Sequence, residues 1–406
     1  MEILPFLKSI AFERIGGSVE EKKASSIIIK KLNSFGAHPY IEKFKILSFK
    51  PGTARLTATK PYAKTYKAYP VGLTGSAKIK GNLKYVELGA EKSLNNIKNK
   101  IILIKGRFDY KNYKSLVEKK AKGFICIDPP EKKLSYFSIE ENFIKQSGRL
   151  PGINIDFKSG LELLRKQAKE VIIESSQEEY ETTSNNVISE IKGFRLPKEV
   201  IVICAHYDSV ATSKGVMDNG TGSATILALS EYFIKNPVHR TLRFIWFGSE
   251  ELGLRGSMDY TTRHKDELKE IKIVVNIDMS GDILGKNVII VTGNNNIEKF
   301  FKKSVITKNS VFEIRQSIHS SDSLPFAKNG IPTVGLSRYG GGTFYIHTSE
   351  DNIEFVNEES LQIIKNASQD FIKFIANAKK FPFKKEIPGD LKKKIKEYYL
   401  NRRGMK

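Results

Sequence analysis

From residue 187 onward the chain alternates between short apolar runs and longer stretches with helical spacing. The runs at residues 200–205, 242–247, 273–277, 288–292 and 333–336 are rich in β-branched residues. They carry almost no polar positions, the pattern of strands covered on both faces. Between most of them lie stretches whose apolar residues recur at helical spacing. Ile226, Leu227, Leu229 and Phe233 would form the buried face of a helix over residues 221–236. A longer helix is predicted over residues 358–379, after the last run. This alternation predicts an α/β fold with a mostly parallel, mixed sheet sandwiched by helices.

The front of the chain begins in the same manner, with a helix over residues 18–35 closed by Gly36 and an edge strand over residues 39–47. From about residue 50 to residue 175 the texture changes to short β-like runs with several Gly and Pro and no long helix. A strand at residues 101–104, a short helix and strand in KSLVEKKAKGFICID, and a strand and helix in LPGINIDFKSGLELLRK are readable there. The expected organisation is one α/β domain in two pieces, residues 1–48 and 179–380, with a β-rich domain inserted at residues 49–178. A basic tail over residues 381–406 opens with prolines, and the pattern leaves open a docked terminal helix or a mobile segment.

The formal net charge of +22 raises a nucleic-acid reading. Lysine supplies most of that charge, its positions are spread along the whole chain, and no zinc-finger, RNA-recognition or helix-turn-helix pattern accompanies it. A solvated lysine-rich surface is the better explanation, so no nucleic-acid partner is expected. No apolar run approaches the ~20 residues of a membrane span. The opening MEILPFLKSIAFERIGG lacks the layout of a secretory signal. Cys126 and Cys204, the 2 cysteines, sit in apolar runs and read as reduced core thiols of a cytoplasmic protein.

Candidate chemistry collects where the apolar runs end. His206 and Asp208 follow the run at 200–205, and Asp218 opens the next helix, where unpaired amides favour a carboxylate. Glu250 and Glu251 follow the run ending near Phe247, and Asp278 follows the next. Asp322 precedes the last run and His347 lies in the loop after it. In an open α/β sheet such ends line the ligand-binding crevice. Each residue alone reads equally well as a turn former, a solvated loop charge or a structural histidine. Together they would gather two imidazoles and several carboxylates at one edge, which is costly unless cations are present. Nitrogen and oxygen donors in small sets suit zinc.

The segments AHYDS, MDNGTGSA, GSEELGLRGS, NIDM and IHTSED, in this order and spacing, resemble the zinc metallopeptidases of the bacterial leucyl aminopeptidase and glutamate carboxypeptidase II family. The inserted segment is similar to the protease-associated domain that many members carry. The resemblance implies two zinc ions, with cobalt or manganese as alternatives, bridged by Asp218 and completed by His206 and Asp278 at one site and by Glu251 and His347 at the other. It implies that Glu250 is the general base of peptide hydrolysis by water activated between the metals. Asp208 would orient the His206 imidazole. The Asp218–Asn219 peptide bond would be cis. Members often supply an oxyanion donor from a tyrosine just before the last histidine, where this chain has Ile346, leaving Tyr345 and Tyr339 as candidates.

An aminopeptidase acting on peptide substrates is the favoured activity. A carboxypeptidase or dipeptidase of the glutamate carboxypeptidase II type would need clustered arginines, and Arg255, Arg315 and Arg338 keep that alternative open. A glutaminyl cyclase would use a single zinc, whereas all five candidate ligands are present here. A non-catalytic binding module would be expected to have lost a ligand or the base. A homo-oligomer is left open.

Overall fold

The computed structural model describes residues 1–87, 94–303 and 311–405. Its contacts divide the chain into two compact units, one of residues 1–46, 183–346 and 350–396, the other of residues 47–182, 347–349 and 397–406. Both passages of the chain between units at its front half fall inside strands, Tyr40–Lys60 and Glu170–Ile191.

In the first unit the strand order is Glu170–Ile191, Arg240–Phe247, Leu196–His206, Ile271–Ile277, Thr333–Tyr339, Lys286–Thr292, Phe312–Gln316. The four strands from Arg240–Phe247 to Thr333–Tyr339 run parallel. Lys286–Thr292 is antiparallel to its neighbour Thr333–Tyr339, and so is Glu170–Ile191 to Arg240–Phe247, which makes the sheet mixed. Burial explains the continuous apolar runs: Ile201, Ile203, Leu242, Phe244 and Trp246 fill one face, and Val200, Val202, Cys204, Ile245 and Phe247 fill the other. Every strand expected after residue 187 is present, extended by up to four residues at its ends. Phe312–Gln316 was not anticipated, because it is short and only half-buried and lacks an apolar run.

The helices follow the sequence equally closely. Thr221–Lys235 and Glu358–Asn377 lie within the predicted spans. Val19–Ser34 begins at Ser18, whose hydroxyl accepts the Glu21 amide, and ends before Gly36, which has φ +79°.

In the second unit the strand order is Tyr40–Lys60, Lys64–Pro70, Gly152–Ile155, Gly123–Ile127, Ile101–Lys105, Ala77–Val86, Glu170–Ile191. A further pairing between the first and last of these closes the order on itself. Leu56, Tyr66, Ile101, Leu103, Ile125, Ile153 and Ile173 are among its buried core. Its helices Tyr110–Glu118, Glu141–Ser147 and Phe157–Arg165 have 9, 7 and 9 residues.

One expectation needs correction here. The strand expected at residues 39–47 runs on to Lys60, through Pro51 and Gly52, residue types common in turns. A Cβ at Gly52 would lie 2.3 Å from the Ser176 carbonyl oxygen, so this glycine answers close approach of another strand rather than a chain reversal. Beyond the predicted span the strand pairs with Lys64–Pro70 through residues 54–58. Of the two readings of the C-terminal segment, the docked helix holds: Gly389–Glu397 continues through Tyr398–Arg402, with Leu391, Ile395 and Tyr399 buried. Beyond it, the buried Arg403 pairs with Glu140 at 3.0 Å. The structure describes that segment to residue 405. Among the described residues no helix is long and apolar enough to cross a membrane.

Candidate metal centre

The parallel strand Leu196–His206 delivers His206 at its carboxyl end, and Ser223 fixes that end by donating its hydroxyl to the His206 carbonyl at 2.7 Å. Ser223 is held in turn by the Trp246 indole, which donates to its carbonyl at 3.0 Å. Just before the helix Thr221–Lys235, the turn Val216–Gly220 carries Asp218, and the Asp218–Asn219 peptide is cis. Asn219 ties this turn to the next strand end. Its amide nitrogen donates to the Ile277 carbonyl at 3.0 Å, and its oxygen accepts from Gly222 N at 2.9 Å and Met279 N at 3.1 Å. Asp218 and Asp278 are therefore fixed relative to one another by one side chain. The helix can come this close because residue 222 is glycine. A Cβ there would sit 2.3 Å from both the Ile277 carbonyl and the Asn219 amide oxygen.

His206, Asp218 and Asp278 are buried and each offers one donor atom, all within 4.8 Å of one another. The His206 Nε2 lies 3.2 Å from Asp218 Oδ1 and 3.8 Å from Asp278 Oδ1, and its Nδ1 faces Asp208 at 3.4 Å. Asp278 Oδ1 is buried without a hydrogen-bond partner. Two carboxylates and one imidazole nitrogen converging on a buried point, one oxygen unsatisfied, fit a divalent cation.

Asp208 is fully buried and accepts two consecutive amides, Glu250 N on Oδ1 and Glu251 N on Oδ2, each at 3.0 Å. One carboxylate thus faces the His206 ring and fixes the turn that presents the two glutamates. Burial disfavours a charged His206, but the nearby carboxylates of Glu250, Asp208, Asp218 and Asp278 outweigh it and hold its pKa well above the usual value. Burial, with Glu251, Asp322 and Asp278 adding to it, pushes the Glu250 carboxyl well above the ordinary range against the opposing pull of His206.

Two residues outside the expected ligand set lie close by. Asp322 is fully buried, and desolvation with help from Asp208 and Asp278 raises its pKa to about 7. His319, set aside in the sequence, packs its Nδ1 where a Cβ on Gly335 would be, 2.9 Å away. Burial lowers its pKa and Asp278 opposes that. Only the proximity of a polar run to the unread strand Phe312–Gln316 could have pointed to it.

His347 groups with Thr348 and Ser349 in the second unit, while its chain neighbours Ile346 and Glu350 belong to the first. Its Nδ1 lies 2.9 Å from the Arg107 guanidinium, and its carbonyl accepts from Tyr136 N at 2.7 Å. Of the tyrosine candidates, Tyr339 accepts from Arg315 at 2.9 Å and Tyr345 stacks on Phe355 with centroids 4.7 Å apart. Arg338 is engaged by the Asp282 and Ile283 carbonyls and by Asn287.

With a buried His–Asp–Asp nest at the carboxyl edge of a parallel sheet, the protein has the build of a metal-dependent α/β hydrolase. Residues 186–372 match the sequence profile of Peptidase family M28. It is 27% identical to Aminopeptidase YwaD of Bacillus subtilis over 372 residues, 86% of this chain and 78% of that protein. Over 203 residues it is 32% identical to the vacuolar membrane protease of Candida dubliniensis, covering 48% of this chain but 21% of that protein. The chain therefore spans about a fifth of the length of that fungal relative. Its fold matches the crystal structure of BSAP, a zinc aminopeptidase from Bacillus subtilis, with a TM-score of 0.74 at 23% identity, covering 96% of this chain and 98% of that one.

Proposed function

We propose that the chain is a di-zinc aminopeptidase that removes N-terminal residues from peptides. The observation that carries this reading is the buried convergence of His206, Asp218 and Asp278 beside a Glu250–Glu251 turn held by Asp208. In this proposal His206, Asp218 and Asp278 would hold one metal ion, and Asp218, Glu251 and His347 would hold the other. The similar aminopeptidases named above support both the metal and the polarity of cleavage. Bound there, divalent cations would polarise the scissile carbonyl and bring water's pKa to about 7.

The residues would divide the remaining work. Glu250, with a carboxyl pKa already pushed up, accepts a proton from the attacking water and returns it to the leaving amine nitrogen. Asp208 keeps the His206 ring turned so that Nε2 faces the metal. Arg315 and Arg338 already have partners, which weakens the carboxypeptidase alternative. The β-rich second unit is proposed to be a protease-associated domain. Free, buried Cys126 and Cys204 fit a reducing cytoplasm.

A panel of aminoacyl and N-acyl-peptide chromogenic substrates, assayed on zinc-loaded and chelator-treated protein, tests the activity. Chelator-sensitive release from free-amine substrates only is expected. Release confined to blocked substrates, or none at all, would refute it. Glu250→Gln should abolish turnover with zinc content unchanged; loss of both would remove its assignment as base.

A further inference from the structure

The turn that carries Glu250 is gripped from below by a second buried carboxylate, from the far N-terminal end of the same unit. Glu21 lies in the first turn of the helix Val19–Ser34, three residues after its cap Ser18, the spacing of a capping box. In that motif the glutamate returns to the cap amide at the surface. Here it is fully buried and points elsewhere. Its Oε2 accepts from Gly17 N at 2.6 Å, and its Oε1 accepts from Ser184 Oγ at 2.8 Å, Ser249 N at 3.0 Å and Ser249 Oγ at 3.1 Å. Ser249 immediately precedes Glu250.

We propose that Glu21 is a positioning residue for the reaction, fixing the backbone of Ser249 so that Glu250 meets its proton donor and acceptor. Three consecutive amides, of Ser249, Glu250 and Glu251, point at two buried carboxylates, the first at Glu21 and the next two at Asp208. Ser249 has φ +55°, a left-handed conformation that non-glycine residues adopt rarely and hold only when their surroundings impose it. Glu21 imposes it by taking both the amide and the hydroxyl of that residue. No slack surrounds this grip. A Cβ on Gly248 would lie 2.5 Å from Ser184 Oγ and 2.9 Å from Glu21 Oε1, and one on Gly16 would lie 2.4 Å from Ser249 Oγ. Glu21 acts through Ser249, whose amide and hydroxyl it accepts. Misplacement of a reacting group by about 1 Å costs on the order of 100-fold in rate.

This inference rests on the reading of Glu250 as the base, and the test separates the two. Full-length Glu21→Gln, Ser184→Ala and Glu250→Gln proteins are loaded with saturating zinc, and metal content, thermal midpoint, kcat and KM on leucine p-nitroanilide are measured for each. Glu21→Gln is expected to lower kcat about 10- to 100-fold with KM and zinc content near those of the unsubstituted protein. Ser184→Ala, which removes one donor from the same oxygen, is expected to lower kcat about 5-fold. If both variants turn over at the original kcat per zinc-loaded chain, whatever their thermal midpoints, Glu21 only stabilises the fold and the proposal is wrong. Zinc loss in Glu21→Gln that saturating metal does not restore also overturns it. Should Glu21→Gln fail to fold, Ser184→Ala decides alone. Full turnover by Glu250→Gln would instead remove the base assignment itself.

Discussion

Among the described residues Asp208 makes three polar approaches, and each sets a different part of the centre: the His206 ring and the Glu250 and Glu251 amides. Replacing it by asparagine leaves one oxygen to accept and puts an NH2 against a donor. Asp208→Asn is expected to lower activity or zinc affinity about 10- to 100-fold, read by zinc titration and kcat/KM; wild-type values for both would show the carboxylate to be dispensable. Arg14 does comparable work for the loop beyond. Buried, it donates to the Tyr207, Ile10, Phe12, Lys214 and Gly215 carbonyls. Arg14→Met strands those acceptors and should cost about 3 kcal/mol or more, measurable as a lowered thermal midpoint. His206, Asp218 and Asp278 were legible because polar residues that interrupt apolar runs mark strand ends. Arg14 and Glu21 were not, since a charged residue near a helix start looks solvated until the rest of the fold covers it.

Among the elements, the helix Thr221–Lys235 matters most, for it must begin against the strand end that carries Asp278. Gly222→Ala would put a methyl 2.3 Å from the Ile277 carbonyl, an atom of the sheet that has nowhere to go. A cost of about 1–3 kcal/mol is expected for such overpacking, together with weaker zinc binding. An unchanged thermal midpoint and zinc affinity would mean that the helix can shift freely. The central parallel strands were readable because burial on both faces leaves continuous apolar runs. Phe312–Gln316 lacked that signal, being half-buried. In Tyr40–Lys60 the Pro51–Gly52 pair has the residue types of a turn, and only the nearness of Ser176 reveals why a glycine stands there.

For the molecule as a whole, the +22 charge proved compatible with an acidic centre, because Asp208, Asp218, Asp278 and Asp322 are buried, while no lysine is buried among the described residues. Cations that neutralise such a cluster bind the folded chain in preference to the unfolded one. Zinc added to chelator-stripped protein at 100 times its dissociation constant should stabilise it by about 2.7 kcal/mol, and scanning calorimetry would register the shift; no shift would count against metal binding.

The link made by Asn219 between its turn and a strand end has a kinetic corollary. Residues 206, 218 and 278 have no local reason to be near one another, so a denatured chain offers zinc nothing comparable to a finger motif, whose ligands crowd a short loop. Long-range strand pairing has to come first. In refolding from denaturant with a fluorescent zinc indicator, uptake should trail the recovery of far-ultraviolet ellipticity, the cation arriving as a late guest in a nearly finished house rather than as its first stone.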